Sequence, residues 1–123
     1  MANTISWEKN GVYWKYSGEV SAEEIVKTST SIYGDPRFDD LTYKIVDFTD
    51  ASIIKMTDDA LDEIAFQHLA AELSKPRIKN AIIMTVAVES VERFASFFKE
   101  STWDVQIFQD IEAANEWLGR EAA

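Results

Sequence analysis

The sequence predicts an α/β domain with a mostly parallel sheet, and three patterns support this prediction. Segments with the apolar spacing of helices alternate along the chain with short apolar runs that are typical of strands. Residues 81–88 are apolar almost throughout, as expected of a strand covered on both faces. Asn10-Gly11 separates two alternating segments, which is the pattern of an antiparallel hairpin. The predicted element order is β-β-α-β-α-β-α-β-α.

The elements follow from the chain in order. The hairpin strands are predicted at residues 4–8 and 12–17, and a strand at residues 43–48 follows the first helix. That helix begins after Ser21, which has capping-box spacing to Glu24, and it ends at the turn of residues 34–40. The later predictions are a helix from near Thr57 to Pro76, the strand at 81–88, a helix carrying Val91, Phe94, Ala95 and Phe98, an edge strand at Trp103, Val105 and Ile107, and a helix capped by Asp110 and ended by Gly119.

Length and charge limit the classes of function. The 123 residues predict a single domain over residues 1–123 with no internal linker. The net charge of −10 opposes binding to nucleic acid and to anionic membranes. The nearest basic group, Lys75, Arg77 and Lys79, is interpreted as an exposed connection between a helix and a strand.

Targeting signals and metal-binding patterns are not found in the sequence. The longest apolar run is too short to span a bilayer and the N-terminus has no signal-peptide pattern, so we predict a cytoplasmic protein that is not integral to the membrane. Because there is no cysteine and one histidine, no zinc site is predicted, and no cofactor either. His68 falls on an apolar stripe and is interpreted as a partly buried structural residue. The aspartates do not have calcium-loop spacing.

The candidate functional segment runs from the strand at residues 43–48 to the next helix. We predict that the strand stops at Asp47 and that a polar loop follows, at the rim of the sheet where α/β proteins bind ligands. The candidate interaction or regulatory residues are Asp47, Thr49, Asp50, Ser52 and Thr57. Thr57 suits a helix N-cap, and a hydroxyl there is also a candidate for phosphorylation.

Catalysis at this segment is not favoured. A carboxylate at the end of a strand is where receiver domains place their phosphoacceptor, but the acidic pair and the lysine that such chemistry needs are missing here. There is also no nucleophile elbow and no glycine-rich phosphate loop. Asp47 is therefore interpreted as a residue that shapes the turn, and the segment as a recognition surface.

The aromatic residues exceed what a small core needs. Phe66 and Phe97 fall off the apolar stripes of their helices, and we predict an exposed apolar patch formed by Phe66, Phe97, Phe98 and Trp103. Such a patch serves either as a homodimer interface or as a groove for an apolar small ligand.

Four segments carry a resemblance to a known group of proteins. They are Gly11-Val-Tyr-Trp with Ser17-Gly18, Tyr33-Gly-Asp-Pro-Arg-Phe-Asp39, Tyr43-Lys-Ile-Val-Asp-Phe-Thr-Asp50 and Phe108-Gln-Asp-Ile-Glu-Ala-Ala-Asn-Glu-Trp-Leu118. With them the chain resembles the SpoIIAA-like group, which includes anti-sigma-factor antagonist (STAS) domains and the CRAL-TRIO lipid-binding fold, and in particular its small stand-alone bacterial proteins of unassigned function. The antagonists carry an Asp-Ser-Ser-Gly turn, where this chain has Lys55-Met-Thr-Asp-Asp-Ala60.

The resemblance and the residues together lead to one functional hypothesis and one alternative. The hypothesis is a non-enzymatic regulatory or protein-interaction module that forms a homodimer and binds a protein partner. The alternative is a carrier of a small apolar or acyl ligand, as the CRAL-TRIO relationship implies.

Overall fold

The computed structural model describes residues 2–55, 58–74, 77–84 and 103–120. Within these ranges the strands are β1 (Ala2–Glu8), β2 (Gly11–Ser21), β3 (Tyr43–Lys55), β4 (Lys79–Ile83) and β5 (Asp104–Phe108), and the helices are α1 (Ala22–Tyr33), a 3-10 turn (Pro36–Asp40), α2 (Asp58–Ser74) and α3 (Ile111–Leu118). The helix predicted around Val91 and Phe94 lies outside the described residues, as do positions 85–88 of the predicted 81–88 strand.

The described strands form one sheet in the order β1-β2-β3-β4-β5. β1 and β2 are antiparallel, and each later pair is parallel. The α/β class, the N-terminal hairpin and the mostly parallel sheet are therefore confirmed. β5 lies at the edge of the sheet, as the alternation of its residues predicted.

β3 corrects the prediction for the candidate segment. The strand does not stop at Asp47 but continues to Lys55, and it stays paired with β2 as far as Ser21. Between the pairs Lys15–Asp47 and Ser17–Asp50, β3 advances by an extra residue, and the register shifts again after Gly18. These irregularities break the two-residue alternation that marks a strand in a sequence, so the polar stretch had the pattern of a loop.

The sheet is covered on both faces. Trp14, Val46 and Ile82 belong to an apolar layer on the face where α1 and α2 pack. On the opposite face Ile45 and Ala81 pack with Ala114 of α3. This burial on both sides explains why β4 has an almost continuous apolar sequence.

Hydrogen bonds connect the N-terminal hairpin to Arg120, which follows α3. The Arg120 guanidinium donates to both carboxylate oxygens of Glu8, at 2.9 and 2.6 Å, and the Tyr43 hydroxyl donates to the same carboxylate. The Tyr43 ring lies directly over Gly11, where an added Cβ would come within 2.0 Å of ring carbon Cζ. Gly11 is therefore required by this packing, and the turn that precedes it contains Asn10 with a φ of +63°.

The predicted helix caps at Ser21, Asp110 and Gly119 are confirmed. Ser21 accepts a hydrogen bond from the Glu24 amide at 3.3 Å, and Asp110 accepts one from the Ala113 amide at 2.8 Å. Gly119 ends α3 in the left-handed conformation, with φ +69°. None of the helices in the described ranges has both the length and the apolar content that crossing a membrane requires.

Candidate functional site

Asp47 is a buried structural acceptor. Its Oδ1 accepts from the Thr49 amide at 2.8 Å and from the Thr49 hydroxyl, and its Oδ2 accepts from the Tyr13 hydroxyl. Burial, and then the hydrogen bond to this carboxylate, raise the pKa of Tyr13. The carboxylate thus joins β2 to the irregular part of β3, and its contacts support the interpretation that Asp47 shapes the local backbone.

Asp50 and Ser52 do not form one cluster with Asp47 and Thr49. The Asp50 carboxylate lies 3.0 Å from Lys15 Nζ, and the side chains of Asp50 and Lys15 are 55% and 36% exposed. The hydrogen bond that Lys15 donates to Asp50 raises the pKa of Lys15. Ser52 is exposed further along β3, and Thr57 lies outside the described residues. Among the residues that the structure describes, no hydrogen bond connects Asp50 or Ser52 to the Asp47–Thr49 pair.

Sequence reasoning missed a buried lysine in the layer under α1 and α2. Lys44 is 0% exposed, and its side-chain nitrogen Nζ donates to the Tyr33 hydroxyl at 2.7 Å. The same atom lies 5.0 to 5.3 Å from the ring centres of Trp14, Tyr33 and Trp103. Burial lowers the pKa of Lys44 well below its usual range and raises that of Tyr33. No sequence signal identifies this site, because lysine is almost never fully buried.

His68 belongs to the same polar cluster, and its predicted structural role is supported. Its ring packs edge-on against Tyr33 and Trp103, and Nδ1 lies 2.8 Å from the Ile64 carbonyl oxygen, so Nδ1–H donates there. Burial lowers the pKa of His68 well below its ordinary value, and the charge of Lys44 acts in the same direction.

Asn80 adds a buried amide beside this cluster. It is paired in register with Lys44 across the parallel β3–β4 ladder, and its side chain is buried. Within the described part of the chain neither side-chain atom of Asn80, Nδ2 or Oδ1, has a hydrogen-bond partner. Lys44, Tyr33, His68 and Asn80 thus form a polar cluster inside an aromatic layer, which we call the buried lysine cluster.

The exposed apolar residues lie on one face of α2. Phe66 is 74% exposed, Leu73 is 88% exposed and Leu69 is 38% exposed. Because a helix turns about 100° per residue, the exposed side chains of α2 fall within an arc of about 120°. We call this arc the α2 outer face; its members are Asp59, Asp62, Glu63, Phe66, Leu69, Ala70 and Leu73.

Of the residues predicted to form an apolar patch, one is exposed and one is buried. Phe66 is exposed as predicted, but Trp103 is 0% exposed because its ring packs against His68 and Tyr33 in the core. Phe97 and Phe98 lie outside the described residues. Leu69 and Leu73 were missed. They follow Phe66 by three and seven residues, a spacing that places side chains on the same side of a helix.

The two ends of the α2 outer face differ in chemistry. The first half carries the carboxylates of Asp59, Asp62 and Glu63, and the second half carries Phe66 and the other apolar side chains. The helix itself contains no lysine or arginine. Arg77, just beyond its C-terminal end, is exposed and holds a left-handed backbone with φ +69°. No group of three or more acidic or histidine side chains in the described ranges is arranged to hold a metal ion.

Two solved structures share this architecture. The anti-sigma factor antagonist SpoIIAA in its unphosphorylated form superposes with a TM-score of 0.63 over 96% of this chain and 99% of its own, at 12% identity. An uncharacterised protein of the DUF3478 family from Shewanella loihica PV-4, which has a SpoIIAA-like fold, gives 0.53 over 95% and 92%, at 16% identity. No protein-family model and no curated protein match the sequence significantly. The chain therefore has a SpoIIAA-like fold.

Proposed function

We propose that this chain is a non-enzymatic protein-interaction module and that the α2 outer face is its contact surface. The observation that carries the proposal is the exposure of Phe66 and Leu73 on a helix whose other side is packed in the core. Contiguous apolar side chains on a folded surface mark a site of association. The similarity to an anti-sigma factor antagonist is compatible with a regulatory role of this kind.

The polar segment of β3, residues 47–52, was first predicted to be the recognition surface, but its contacts lie within the chain. Asp47 and Thr49 are engaged with each other and with Tyr13, and Asp50 pairs with Lys15. These contacts give the segment a structural role, so recognition is assigned to α2. The predicted interaction or regulatory roles of Asp50, Ser52 and Thr57 stay predictions.

The experiment is a comparison of two single-charge variants. Leu73→Glu places a carboxylate at the C-terminal end of the apolar half, and Ser31→Glu places one on the exposed side of α1. Captured partners, including a second copy of the chain, should be lost from Leu73→Glu and retained by Ser31→Glu. Equal retention by both variants would remove the α2 outer face from the proposal.

The second candidate, a carrier of a small apolar acid, is favoured by the buried lysine cluster. The Lys44 amine and the Asn80 amide are donors placed side by side under aromatic rings, which suits a carboxyl head group. Native mass spectrometry of protein purified without detergent tests this candidate. An adduct in the acyl mass range supports the carrier, and a bare polypeptide argues against it.

A further inference from the structure

We propose that the occupant of the α2 outer face is a second copy of this chain, bound through α2 in an antiparallel, two-fold arrangement. This inference rests on the proposed function, because it names the partner of the same surface. Two-fold dimers require a surface that complements itself. The distribution of charge and apolar side chains along α2 meets this requirement.

The apolar half complements itself around an axis near Leu69 and Ala70. In the antiparallel arrangement Phe66 lies opposite Leu73 of the partner subunit, and Leu69 lies opposite Ala70 of the partner subunit. The small side chain of Ala70 allows the two helices to approach closely at the axis. Each of the large exposed side chains would thereby lose its contact with water.

The charged half selects the antiparallel direction. In a parallel pair the carboxylates of Asp59 and Glu63 would face the same residues of the partner, and like charges repel. In the antiparallel pair the turn containing Glu63 lies opposite the connection that carries Arg77 of the partner subunit. Glu63 and Arg77 are exposed, and neither forms an ion pair with another described residue. The antiparallel arrangement also aligns the helix dipoles favourably.

Other occupants fit this surface less well. An anionic membrane would be repelled by the carboxylates on the same face and by the net charge of −10. A helix from a different protein would need basic residues at one end and apolar residues at the other. The chain itself supplies that combination at Arg77 and the apolar half of α2.

The test is a charge exchange followed by light scattering and analytical ultracentrifugation. Wild type should have twice the 14.0 kDa mass of the chain. Glu63→Arg and Arg77→Glu alone should each raise the dimer dissociation constant about tenfold, because each change acts at two symmetric contacts. The double variant should regain most of the wild-type affinity, because it restores opposite charges. Ser31→Glu is the control, with circular dichroism to show that every variant is folded.

The outcomes separate this inference from the proposed function. A wild-type chain that stays monomeric at every concentration overturns the dimer, as does a dimer that the charge reversals leave unchanged. A double variant no better than the single variants overturns the antiparallel register. If the chain is monomeric but Leu73→Glu loses a captured protein that Ser31→Glu retains, the dimer is overturned and the proposed function survives. If Leu73→Glu instead loses binding to anionic vesicles that Ser31→Glu retains, both the dimer and the protein-interaction function are overturned.

Discussion

The polar segment of β3 and the α2 outer face differ in whether their side chains are engaged within the fold. Asp47 and Thr49 have the chemistry of a functional site, yet their polar atoms are engaged within the chain. Phe66 and Leu73 have the chemistry of a core, yet most of their surface is exposed. The comparison teaches that a binding surface is identified by groups that the fold leaves unsatisfied. Polarity in the sequence is a weaker guide.

The largest effect is expected from removing the apolar half of the α2 outer face. The double substitution Phe66→Ser and Leu73→Ser should weaken self-association by about 30-fold, the scale of a hot-spot loss. The free energy of unfolding of the monomer should change by no more than about 0.5 kcal/mol per site, because both side chains are already exposed. Sedimentation equilibrium and urea unfolding at low protein concentration measure the two quantities. A loss of stability without a loss of association would reverse the roles of the two regions.

The opposite result is expected in the polar segment of β3. Asp47→Ala removes the acceptor of the Tyr13 hydroxyl and of the Thr49 amide, and it should lower the free energy of unfolding by about 1–3 kcal/mol. Association measured on the folded protein should not change. Urea unfolding beside sedimentation tests this pair of expectations. An Asp47→Ala variant of unaltered stability that no longer associates would make this segment the binding site after all.

The buried lysine cluster should make the free energy of unfolding depend on pH. The folded pKa of Lys44 lies below its unfolded value, so the unfolded chain binds the extra proton and stability rises with pH up to about 10.4. The pKa values of Tyr16 and Tyr43 are raised to about 12, mainly by burial, and the stability they contribute is lost only above pH 10. Between pH 7 and 9.5, wild type should therefore gain more stability than Lys44→Met.

Urea unfolding at several pH values measures the two slopes. The Lys44 contribution is limited to about 1.4 kcal/mol per pH unit for one proton. His68 does not change the slope between pH 7 and 9.5. Its pKa is lowered from 6.5, so its contribution to stability is lost only below that pH. Parallel slopes for wild type and Lys44→Met would show that Lys44 is charged in the folded protein.

The smallest effect is expected at the exposed pair of Lys15 and Asp50. Asp50→Asn removes a surface ion pair, whose contribution is about 0.2–1 kcal/mol and falls with salt. Thermal melts in low and high salt measure it. A larger cost that persists in high salt would mean that Asp50 has a role in the backbone of β3 comparable to that of Asp47.

The sequence predicted the features that depend on local patterns. The hairpin at Asn10-Gly11, the caps at Ser21 and Asp110 and the almost continuous apolar run of β4 each follow from one rule of local geometry. The length of β3 could not be predicted from such a rule, because its irregular pairing with β2 depends on a partner strand more than thirty positions away. The burial of Lys44 was equally hidden, since it depends on rings from three distant parts of the chain.

The candidate site was predicted only in part. Phe66 was identified because it lies off the buried stripe of its helix, and the same test applied to Leu73 would have found the rest of the apolar half. Trp103 was misplaced because a residue that directly precedes an edge strand gives no sign of its burial. It packs against His68 and Tyr33, contacts that arise only in the tertiary structure.

The most direct test of the central claim uses the absence of cysteine from the chain. A single cysteine at Ala70, beside the proposed two-fold axis, is compared with one at Ser52 in the polar segment of β3; both positions are exposed. Treatment with a short bismaleimide should convert Ala70→Cys to a covalent dimer and leave Ser52→Cys monomeric. Cross-linking of Ser52→Cys with none at Ala70→Cys would contradict the assignment of the contact surface to α2.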